Sequence, residues 1–334
     1  MVGFAVTTVL VATLAPLNPV QALVVWVINE ETVSLGISGV SPHVERNGLV
    51  DRIWYPSLAG TIVADCTDAG SCSSVPVTGR LGSDFTTVTM PNGTRRAYFV
   101  EINPATSTKS VYSAACATSA CTSVGSSVLT TSDLTVPSAP SAWGVPDAVI
   151  TPDGKVRLYV VESPVTGNCT EKLASYISSD GITFTKESGW RLEGGVSVDP
   201  EILRAKSGDW VMILADGPGC GDRVQKLYLS TSNDGLTWST PQKLSGSDLS
   251  RLDPTGYEVS TDVFRIYYAT AVAGTLGDRT YTIKRATLTI KPAASETTTT
   301  SEKSSKTSIT CVKGKVTKKV TGINPKCPKG YKKK

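Results

Sequence analysis

Histidine is almost absent from this sequence: His43 is the only one among 334 residues. A zinc site with several histidine ligands is therefore hard to build, and so is a Ser-His-Asp centre. The eight cysteines include no Cys-x-x-Cys pair, the usual opening of a zinc-binding motif. After residue 22 no apolar run approaches the roughly 20 residues of a membrane-spanning helix. These absences argue against a zinc enzyme and against a protein that spans the membrane after residue 22.

Excess charge is confined to one end of the chain. The sequence has 33 basic and 29 acidic residues, a formal net charge of +4. Residues 303–334 contain 11 Lys and no Asp or Glu, so residues 1–302 carry 22 basic and 29 acidic residues. A basic body that binds nucleic acid is therefore not expected, and the positive charge belongs to the tail.

Residues 1–22 predict a signal peptide. They are uncharged, apolar through Leu14, and end in Val20-Gln21-Ala22, a pattern typical of signal cleavage. Pro16 and Pro19 interrupt the apolar run, which argues against the alternative of a membrane anchor. We therefore expect a secreted, extracellular and monomeric protein, either free or associated with the cell surface.

The even number of cysteines agrees with export, since disulfides persist in oxidising compartments. Two pairs bracket short loops, one pair lies in the tail, and the remaining two cysteines lie in Gly-rich loops about one repeat apart. A metal site is the alternative, but it has no Cys-x-x-Cys pair to start from. We predict the disulfides Cys66–Cys72, Cys116–Cys121, Cys169–Cys220 and Cys311–Cys327.

A repeat of roughly fifty residues runs through the chain. Each copy opens with Asp or Ser, usually next to Pro, then shows a short apolar strand, a turn and a second strand. The segments are 40–57, 82–101, 145–162, 198–216 and 252–270, and we place their equivalent openings at Ser41, Asp84, Asp147, Asp199 and Asp253.

Five units of four short strands predict an all-β fold, a five-bladed β-propeller. The last unit shows only three strands and ends near Ile290. We expect the segment from Val24 to Leu35 to supply its outer strand and close the ring. An open sandwich is the alternative, but it gives no reason for a repeat near 54 residues.

Two nearly identical hairpins follow third strands, at 178–184 and 232–238. Asp180 and Asp234 are expected to accept backbone N–H bonds, with the following glycines at positive φ. Phe184 and Trp238 would fill the gap between sheets. The pattern resembles the Asp-box of sialidase-like propellers, and we expect the Cys66–Cys72 and Cys116–Cys121 disulfides to replace this turn in the first two blades.

Inner strands of a propeller begin at one face, so the repeat openings should converge there. His43 and Glu201 follow two residues after their openings, and Glu101, Glu162 and Asp216 end second strands on the same side. A funnel lined by carboxylates suits acid–base chemistry on a sugar, and also a Ca²⁺ ion. The alternative is structural: Asp before Pro often only bonds its own backbone and sets a turn.

The Asp-Pro openings and five units resemble the five-bladed propeller glycosidases of the arabinanase, β-xylosidase, invertase and levansucrase superfamily, over roughly residues 24–291. The resemblance implies an Asp base in the first blade, a tuning Asp in the third and a Glu acid in the fourth. Asp147 matches the tuning Asp. The position of the Glu acid falls on Val198 or Asp199, with Glu201 two residues beyond. The position of the Asp base falls on Ser41, whose side chain cannot act as a base.

The resemblance leads to two functional hypotheses. The first is a glycoside hydrolase-like propeller acting on polysaccharide, with Asp147, Asp199 and Glu201 as catalytic carboxylates. The second is a non-catalytic propeller that binds glycan or another surface partner. We expect no cofactor, with Ca²⁺ in the channel left open. The substrate-binding residues would be His43, Asp84, Glu162, Asp216 and Asp253.

The tail predicts a separate module. We divide the chain into a signal peptide (1–22), a propeller (23–291), a Ser/Thr-rich linker (292–308) and a basic module with a cysteine pair (309–334). The module resembles short C-terminal modules of secreted actinobacterial proteins. Its lysines suit an anionic cell-wall polymer or membrane surface, and the alternative is a solubilising tag with no partner.

Overall fold

Short strands bounded by turns build almost all of the regular structure. The computed structural model describes residues 24–57, 60–76, 82–103, 105–116, 121, 125–135, 143–163, 169–217, 224–246, 248–272, 280–292 and 307–334. Within these residues the one helical element is a single 3₁₀ turn, Thr131–Asp133. No helix there is long and apolar enough to cross a membrane. The predicted signal peptide lies outside the described residues.

Twenty-one strands form five antiparallel sheets, and the expected five-bladed propeller is confirmed. Sheet order from the inner strand outward follows chain order in the first four blades. The first blade comprises β2 (His43–Asn47), β3 (Val50–Ser57), β4 (Gly60–Thr67) and β5 (Cys72–Pro76). The second comprises β6 (Ser83–Thr89), β7 (Arg95–Asn103), β8 (Thr108–Ala115) and β9 (Ser126–Leu129).

The third blade comprises β10 (Gly144–Ile150), β11 (Val156–Glu162), β12 (Lys172–Ser178) and β13 (Thr185–Lys186), with β14 (Leu192–Glu193) also paired to β12. The fourth comprises β15 (Val198–Arg204), β16 (Trp210–Ala215), β17 (Leu227–Ser232) and β18 (Gln242–Lys243). The fifth comprises β19 (Leu249–Ser260), β20 (Val263–Val272), β21 (Thr282–Pro292) and β1 (Val24–Glu30), in that order. As predicted, the N-terminal strand supplies the outer strand that the fifth repeat lacks.

The five inner strands form a closed ring, because each contacts the inner strand of the next blade and β19 contacts β2. The second strand of each blade is rich in apolar residues, and those of the third and fourth blades, β11 and β16, are buried along their whole length. Apolar side chains fill the gap at each of the five junctions. One contributing pair per junction is Trp54 with Phe99, Tyr98 with Leu158, Tyr159 with Met212, Ile213 with Phe264, and Ile53 with Tyr267.

The junction between the first and fifth blades also carries a buried polar network. Asp51 of β3 is fully buried and accepts hydrogen bonds from Arg46 (2.8 Å), Tyr257 (2.5 Å) and Arg265 (3.1 Å), and another from Tyr267. These four bonds outweigh the effect of burial and hold the pKa of Asp51 below its ordinary value. The network therefore ties the two ends of the ring together with a charged group that has no access to water.

Three of the four predicted disulfides are present in the described residues. Cys66–Cys72 joins directly paired residues of β4 and β5, and Cys116–Cys121 follows the end of β8. Both lie between the third and fourth strands of their blades, where the later blades have the Asp-Gly hairpins. Cys311–Cys327 lies in the tail. Cys169 is disulfide-bonded, whereas its predicted partner Cys220 lies outside the described residues.

The hairpins at 178–184 and 232–238 have the expected turn geometry. Asp180 accepts the N–H groups of Ile182 (2.8 Å) and Thr183 (2.7 Å), and Asp234 accepts the equivalent pair. Gly181 and Gly235 have φ values of 72° and 71°. Each hairpin docks on the preceding blade: Tyr98 donates to the Gly181 carbonyl (2.9 Å), and Tyr159 donates to the Gly235 carbonyl (2.7 Å). Phe184 and Trp238 pack edge-on against the same two tyrosines.

The C-terminal residues 307–334 form a small three-stranded sheet. Strand β22 (Thr307–Lys313) lies between β23 (Val316–Gly322) and β24 (Lys332–Lys333), and the predicted hairpin is confirmed. Cys311 is fully buried against its disulfide partner, while the lysines are exposed. The predicted linker lies mostly outside the described residues.

Candidate functional site

The inner strands begin with a repeated irregularity that turns pairs of side chains into the central hollow. In four blades the pairing with the second strand shifts at this point, as in a β-bulge. The bulged residue has a left-handed backbone, with φ between 46° and 54° in all five blades. A Pro follows it in every blade except the second, which has Phe85. Residues two positions apart therefore point into the hollow as two stacked rings.

The upper ring consists of the residues with left-handed backbone: Ser41, Asp84, Val145, Asp199 and Asp253. All five line the hollow, which confirms that the repeat openings converge. However, Val145 and not Asp147 is the counterpart of the other four. The prediction aligned the third repeat on its Asp, whereas the structural register follows the Pro, with Pro146 equivalent to Pro42, Pro200 and Pro254. Aligning the sequence on Pro would have found this position.

The lower ring lies two residues further along each strand and is fully buried. His43, Thr86, Asp147 and Glu201 line the hollow, and Thr255 is the buried residue at the equivalent position of the fifth blade. This ring brings Asp147 and Glu201 to the same depth on neighbouring blades. The two rings and the residues between them line a small hollow that is open at its mouth.

Hydrogen bonds between neighbouring blades hold the lower ring at all five junctions. Asp147 accepts from the Thr86 hydroxyl (2.8 Å) and from the backbone N–H of Ile202 (2.7 Å). Glu201 accepts from the backbone N–H of Gly256 (2.8 Å). Thr255 accepts from the N–H of Val44 (3.1 Å), and His43 Nε2 lies 3.1 Å from the Thr87 hydroxyl. The side chains are therefore positioned by the blades on both sides of them.

The upper ring repeats this arrangement at four junctions. Asp253 accepts the N–H of Ser41 (2.8 Å), and Asp199 accepts the N–H of Asp253 (3.3 Å). Asp84 accepts the Ser41 hydroxyl (3.2 Å) and the N–H of Val145. The side chain of Val145 has no acceptor atom. The upper ring therefore has no equivalent hydrogen bond between the third and fourth blades. The structural alternative was that these Asp residues bond their own backbone and set a turn. They do form structural hydrogen bonds, but to the neighbouring blade and not to their own turn.

Burial in the hollow shifts the carboxyl groups towards their protonated forms. It raises the pKa of Asp147 to about 6, although the bonds from Ile202 and Thr86 oppose the shift. It raises the pKa of Glu201 well above its ordinary value, and the charge of Asp147 adds to this. Burial, followed by the charge of Asp84, raises the pKa of Asp253 to about 6, and burial with the charges of Asp253 and Asp84 raises that of Asp199 further.

Two residues predicted for the funnel do not line it. Glu162 is fully buried and accepts hydrogen bonds from the Thr135 N–H (2.9 Å) and the Tyr176 hydroxyl (2.9 Å), and it pairs with Lys186. Asp216 accepts the backbone N–H of Lys226. Both residues lie at the ends of second strands, but their side chains bond groups outside the hollow.

Within the described residues, no group of three or more His, Cys, Asp or Glu side chains is arranged to hold a metal ion. The carboxylates of the two rings accept hydrogen bonds from backbone N–H and hydroxyl groups of the next blade.

Among the solved structures with a similar fold are glycoside hydrolases and arabinanases. A thermostable family-43 glycoside hydrolase aligns with a TM-score of 0.55 at 14% identity, over 77% of this chain and 92% of that one. The endo-arabinase from Bacteroides thetaiotaomicron aligns at 0.57 and 11% identity, over 77% and 96%. The fold is that of the propeller glycoside hydrolases.

The same fold occurs in the α-L-arabinanase from Cellvibrio cellulosa complexed with arabinohexaose, with a TM-score of 0.52 at 12% identity, over 74% of this chain and 91% of that one. No family model matches the sequence. No curated protein matches it either. At these identities the comparisons establish the architecture, and the chemistry has to be argued from the two rings.

Proposed function

We propose that the protein cleaves glycosidic bonds of a polysaccharide at the central hollow, with Glu201 as proton donor. The observation that carries the proposal is the pairing of Asp147 and Glu201 in the lower ring of neighbouring blades. Both oxygens of Asp147 are held by fixed donors, so it is a rigid negative charge beside Glu201. A carboxyl group kept protonated by burial and a nearby carboxylate is what a glycosidic leaving group requires.

Of the three predicted catalytic carboxylates, Asp147 and Glu201 have chemical roles in the proposed reaction. Asp199 lies in the upper ring, where it bonds the backbone of Asp253 and interacts with its side chain. That position suits a contact with bound sugar at the mouth, together with Asp84 and Asp253. His43 lies in the lower ring, on the opposite side of the hollow from Asp147 and Glu201.

Substitution of the proton donor tests this proposal. Glu201→Gln should lower the rate on an unactivated polysaccharide by roughly 10²- to 10⁴-fold, the usual contribution of general acid catalysis. The loss on nitrophenyl glycosides should be smaller, because that leaving group needs no proton. Initial rates on a panel of arabinan, xylan and aryl glycosides measure both effects.

The matched control is Glu193→Gln, an exposed carboxylate on β14 paired with Lys172 (2.9 Å). It should keep the rate of the original protein on both substrate types. Equal rates for Glu201→Gln and Glu193→Gln on polysaccharide would contradict the role of Glu201.

A second function, glycan binding without cleavage, is favoured by a specific feature of the first blade. Its two ring positions are Ser41 and His43, so no carboxylate stands where the resembling glycosidases have their base. Tight binding of an oligosaccharide with no turnover on the same panel would support this second function.

We also propose that the protein is exported and that its C-terminal sheet attaches it to an anionic polymer of the cell surface. Nine lysines of residues 307–334 are exposed, and this segment contains no Asp or Glu. It has no Arg and no Trp or Phe, which favours contact with a flexible chain of phosphates or carboxylates over base recognition or insertion into a membrane. Binding should therefore weaken steeply with added salt. The lysines are Lys313, Lys315, Lys318, Lys319, Lys326, Lys329, Lys332, Lys333 and Lys334.

A further inference from the structure

We propose that His43 is the general base of this site and that a relay through Thr87 to Glu45 orients it. The inference rests on the proposed glycosidase function and supplies the group that the first blade otherwise lacks. It differs from the usual pair of carboxylates, because the base is an imidazole whose second nitrogen is fixed by a hydroxyl.

The hydrogen bonds of the relay determine which ring nitrogen carries the proton. The Thr87 hydroxyl donates to Glu45, which is ionised and can only accept. With its single hydrogen committed, Thr87 can only accept from His43 Nε2, 3.1 Å away. Nε2 therefore bears the hydrogen in the neutral ring, and the lone pair of Nδ1 is free to take a proton.

An ion pair with Arg95 holds Glu45, the last residue of the relay, in place. Arg95 of β7 donates to the other oxygen of Glu45, and its guanidinium lies over Trp54, 5.3 Å from the ring centroid. The nearby His43 imidazole, followed by Arg95 and Thr87, outweighs burial and lowers the pKa of Glu45 to about 2. Glu45 thus remains an acceptor across the working pH range, and it stabilises the positive charge that His43 gains when it takes a proton.

The imidazole is also held by packing. Its centroid lies 5.7 Å from that of Trp54 and 5.5 Å from that of Phe85, and the side chain is only 7% exposed. His43 and Glu45 are alternate residues of β2 and point to the same side, while Thr87 comes from β6 of the next blade. A ring held by two aromatic side chains and a directed hydrogen bond is preorganised for proton transfer.

The order of the blades sets His43 against the proposed acid. In a ring of five, the first blade touches the second and fifth, whereas Asp147 and Glu201 belong to the third and fourth. His43 therefore faces the Asp147–Glu201 pair across the hollow at the same depth. A base and an acid on opposite sides of a sugar form the arrangement of a single-displacement glycosidase.

The step balances with these groups alone. A water oxygen attacks the anomeric carbon while one of its protons moves to His43 Nδ1. The bond from the anomeric carbon to the leaving oxygen breaks, and the proton of Glu201 goes to that oxygen. The site is left with an imidazolium and a carboxylate, and proton exchange with solvent restores both. No oxidant, reductant or metal is consumed.

Because His43 is the only histidine, its tautomer is directly measurable in the whole protein. Nitrogen NMR of the full chain labelled with ¹⁵N-histidine shows a single pair of ring nitrogens. Above the pH at which the ring loses its charge, the pair should show Nε2 protonated and Nδ1 unprotonated. The Nδ1–H tautomer would overturn the proposal. Thr87→Val should remove this preference, whereas Thr185→Val, an exposed threonine of the outer strand β13, should not.

Kinetics of His43→Ala complete the test. Loss of the base should lower kcat on polysaccharide by roughly 10²- to 10⁴-fold with little change in KM. Azide, a nucleophile with no proton to remove, should restore cleavage and give a glycosyl azide. Thr87→Val should lower kcat by about 10-fold at unchanged KM, since it acts only by positioning His43.

The outcomes separate the two proposals. If the original protein is active, Glu201→Gln loses activity and His43→Ala retains it, the role of His43 is overturned and the glycosidase function stands. If the original protein cleaves nothing on the panel, both proposals are overturned. Thermal unfolding of each variant shows whether the loss of activity is a loss of fold.

Discussion

Val145 is the residue at which the two rings depart from their own pattern. It is β-branched, yet its φ of 46° lies in the left-handed region, where such side chains are strained. At the same position Asp84, Asp199 and Asp253 combine this backbone with a hydrogen bond to the next blade, which Val145 cannot make. The third blade therefore carries backbone strain at the mouth without the bond that offsets it elsewhere.

Val145→Asn should stabilise the protein by about 1 kcal/mol. Asn tolerates the left-handed region, and its carbonyl oxygen can accept the N–H of Asp199, a net gain that exceeds the loss of half-buried apolar contact. Urea unfolding measures the change. Val145→Ala relieves only part of the strain, gains no hydrogen bond and loses apolar contact, so it should be less stable than Val145→Asn. A stability of Val145→Asn at or below that of Val145→Ala would contradict this explanation.

At the scale of single elements, each Asp-Gly hairpin connects its own blade to the preceding one. A Cβ on Gly181 would lie 2.8 Å from Arg96 Cδ and 2.9 Å from Tyr98 Oη, in the contact where Tyr98 bonds the hairpin. Gly48 has a similar φ of 62° at the turn between β2 and β3, but a Cβ there would have no atom within 4 Å. The two glycines therefore separate the cost of backbone conformation from the cost of a clash.

Gly48→Ala should destabilise the protein by about 1 kcal/mol, the cost of the left-handed backbone alone. Gly181→Ala should cost roughly 2–4 kcal/mol, because the hairpin must also move off the preceding blade. Chemical denaturation of both variants gives the comparison. Equal losses would mean that docking of the hairpin contributes nothing to the junction.

The elements also show which features were predictable from the sequence. Strands, hairpins and the closing strand β1 follow from apolar runs and turn residues, which are local signals. The register at the mouth does not, because Asp147 and Asp199 both lie beside Pro but on opposite sides of it. Side chains of a strand alternate between faces, so position near a strand end did not fix the direction of Glu162 or Asp216. The relay from His43 to Glu45 was missed because Thr87 comes from another blade.

At the scale of the whole molecule, two sets of buried carboxyls oppose each other in their effect on stability. Asp147, Asp199, Glu201 and Asp253 have raised pKa values, so their contribution to stability is fully present below about pH 4 and is lost as the pH rises above it, through about 6 for Asp147 and Asp253. Asp51 and Glu45 have lowered pKa values, so their contribution is present above about pH 4 and is lost as pH falls. Stability should therefore be greatest at about pH 4 and decrease on both sides of that value.

Asp199→Asn should reduce the loss of stability above pH 6. The amide oxygen can still accept the N–H of Asp253, and the amide nitrogen can donate to the Asp253 carboxylate without adding charge. Thermal midpoints of the original protein and the variant at pH 5.5 and 8 measure the effect. An identical fall in both would show that the charge cluster of the upper ring does not govern the alkaline side of the profile.

The central claim is that a carbohydrate binds in the hollow that the two rings line, and His43 is a unique reporter at that position. Its ring resonances can be followed in the full chain during titration with arabinohexaose, xylo-oligosaccharides and cello-oligosaccharides. At least one of these ligands should shift the His43 resonances in proportion to the bound fraction measured by calorimetry. Saturable glycan binding that leaves the His43 resonances unchanged, or no binding of any of these glycans, would contradict it.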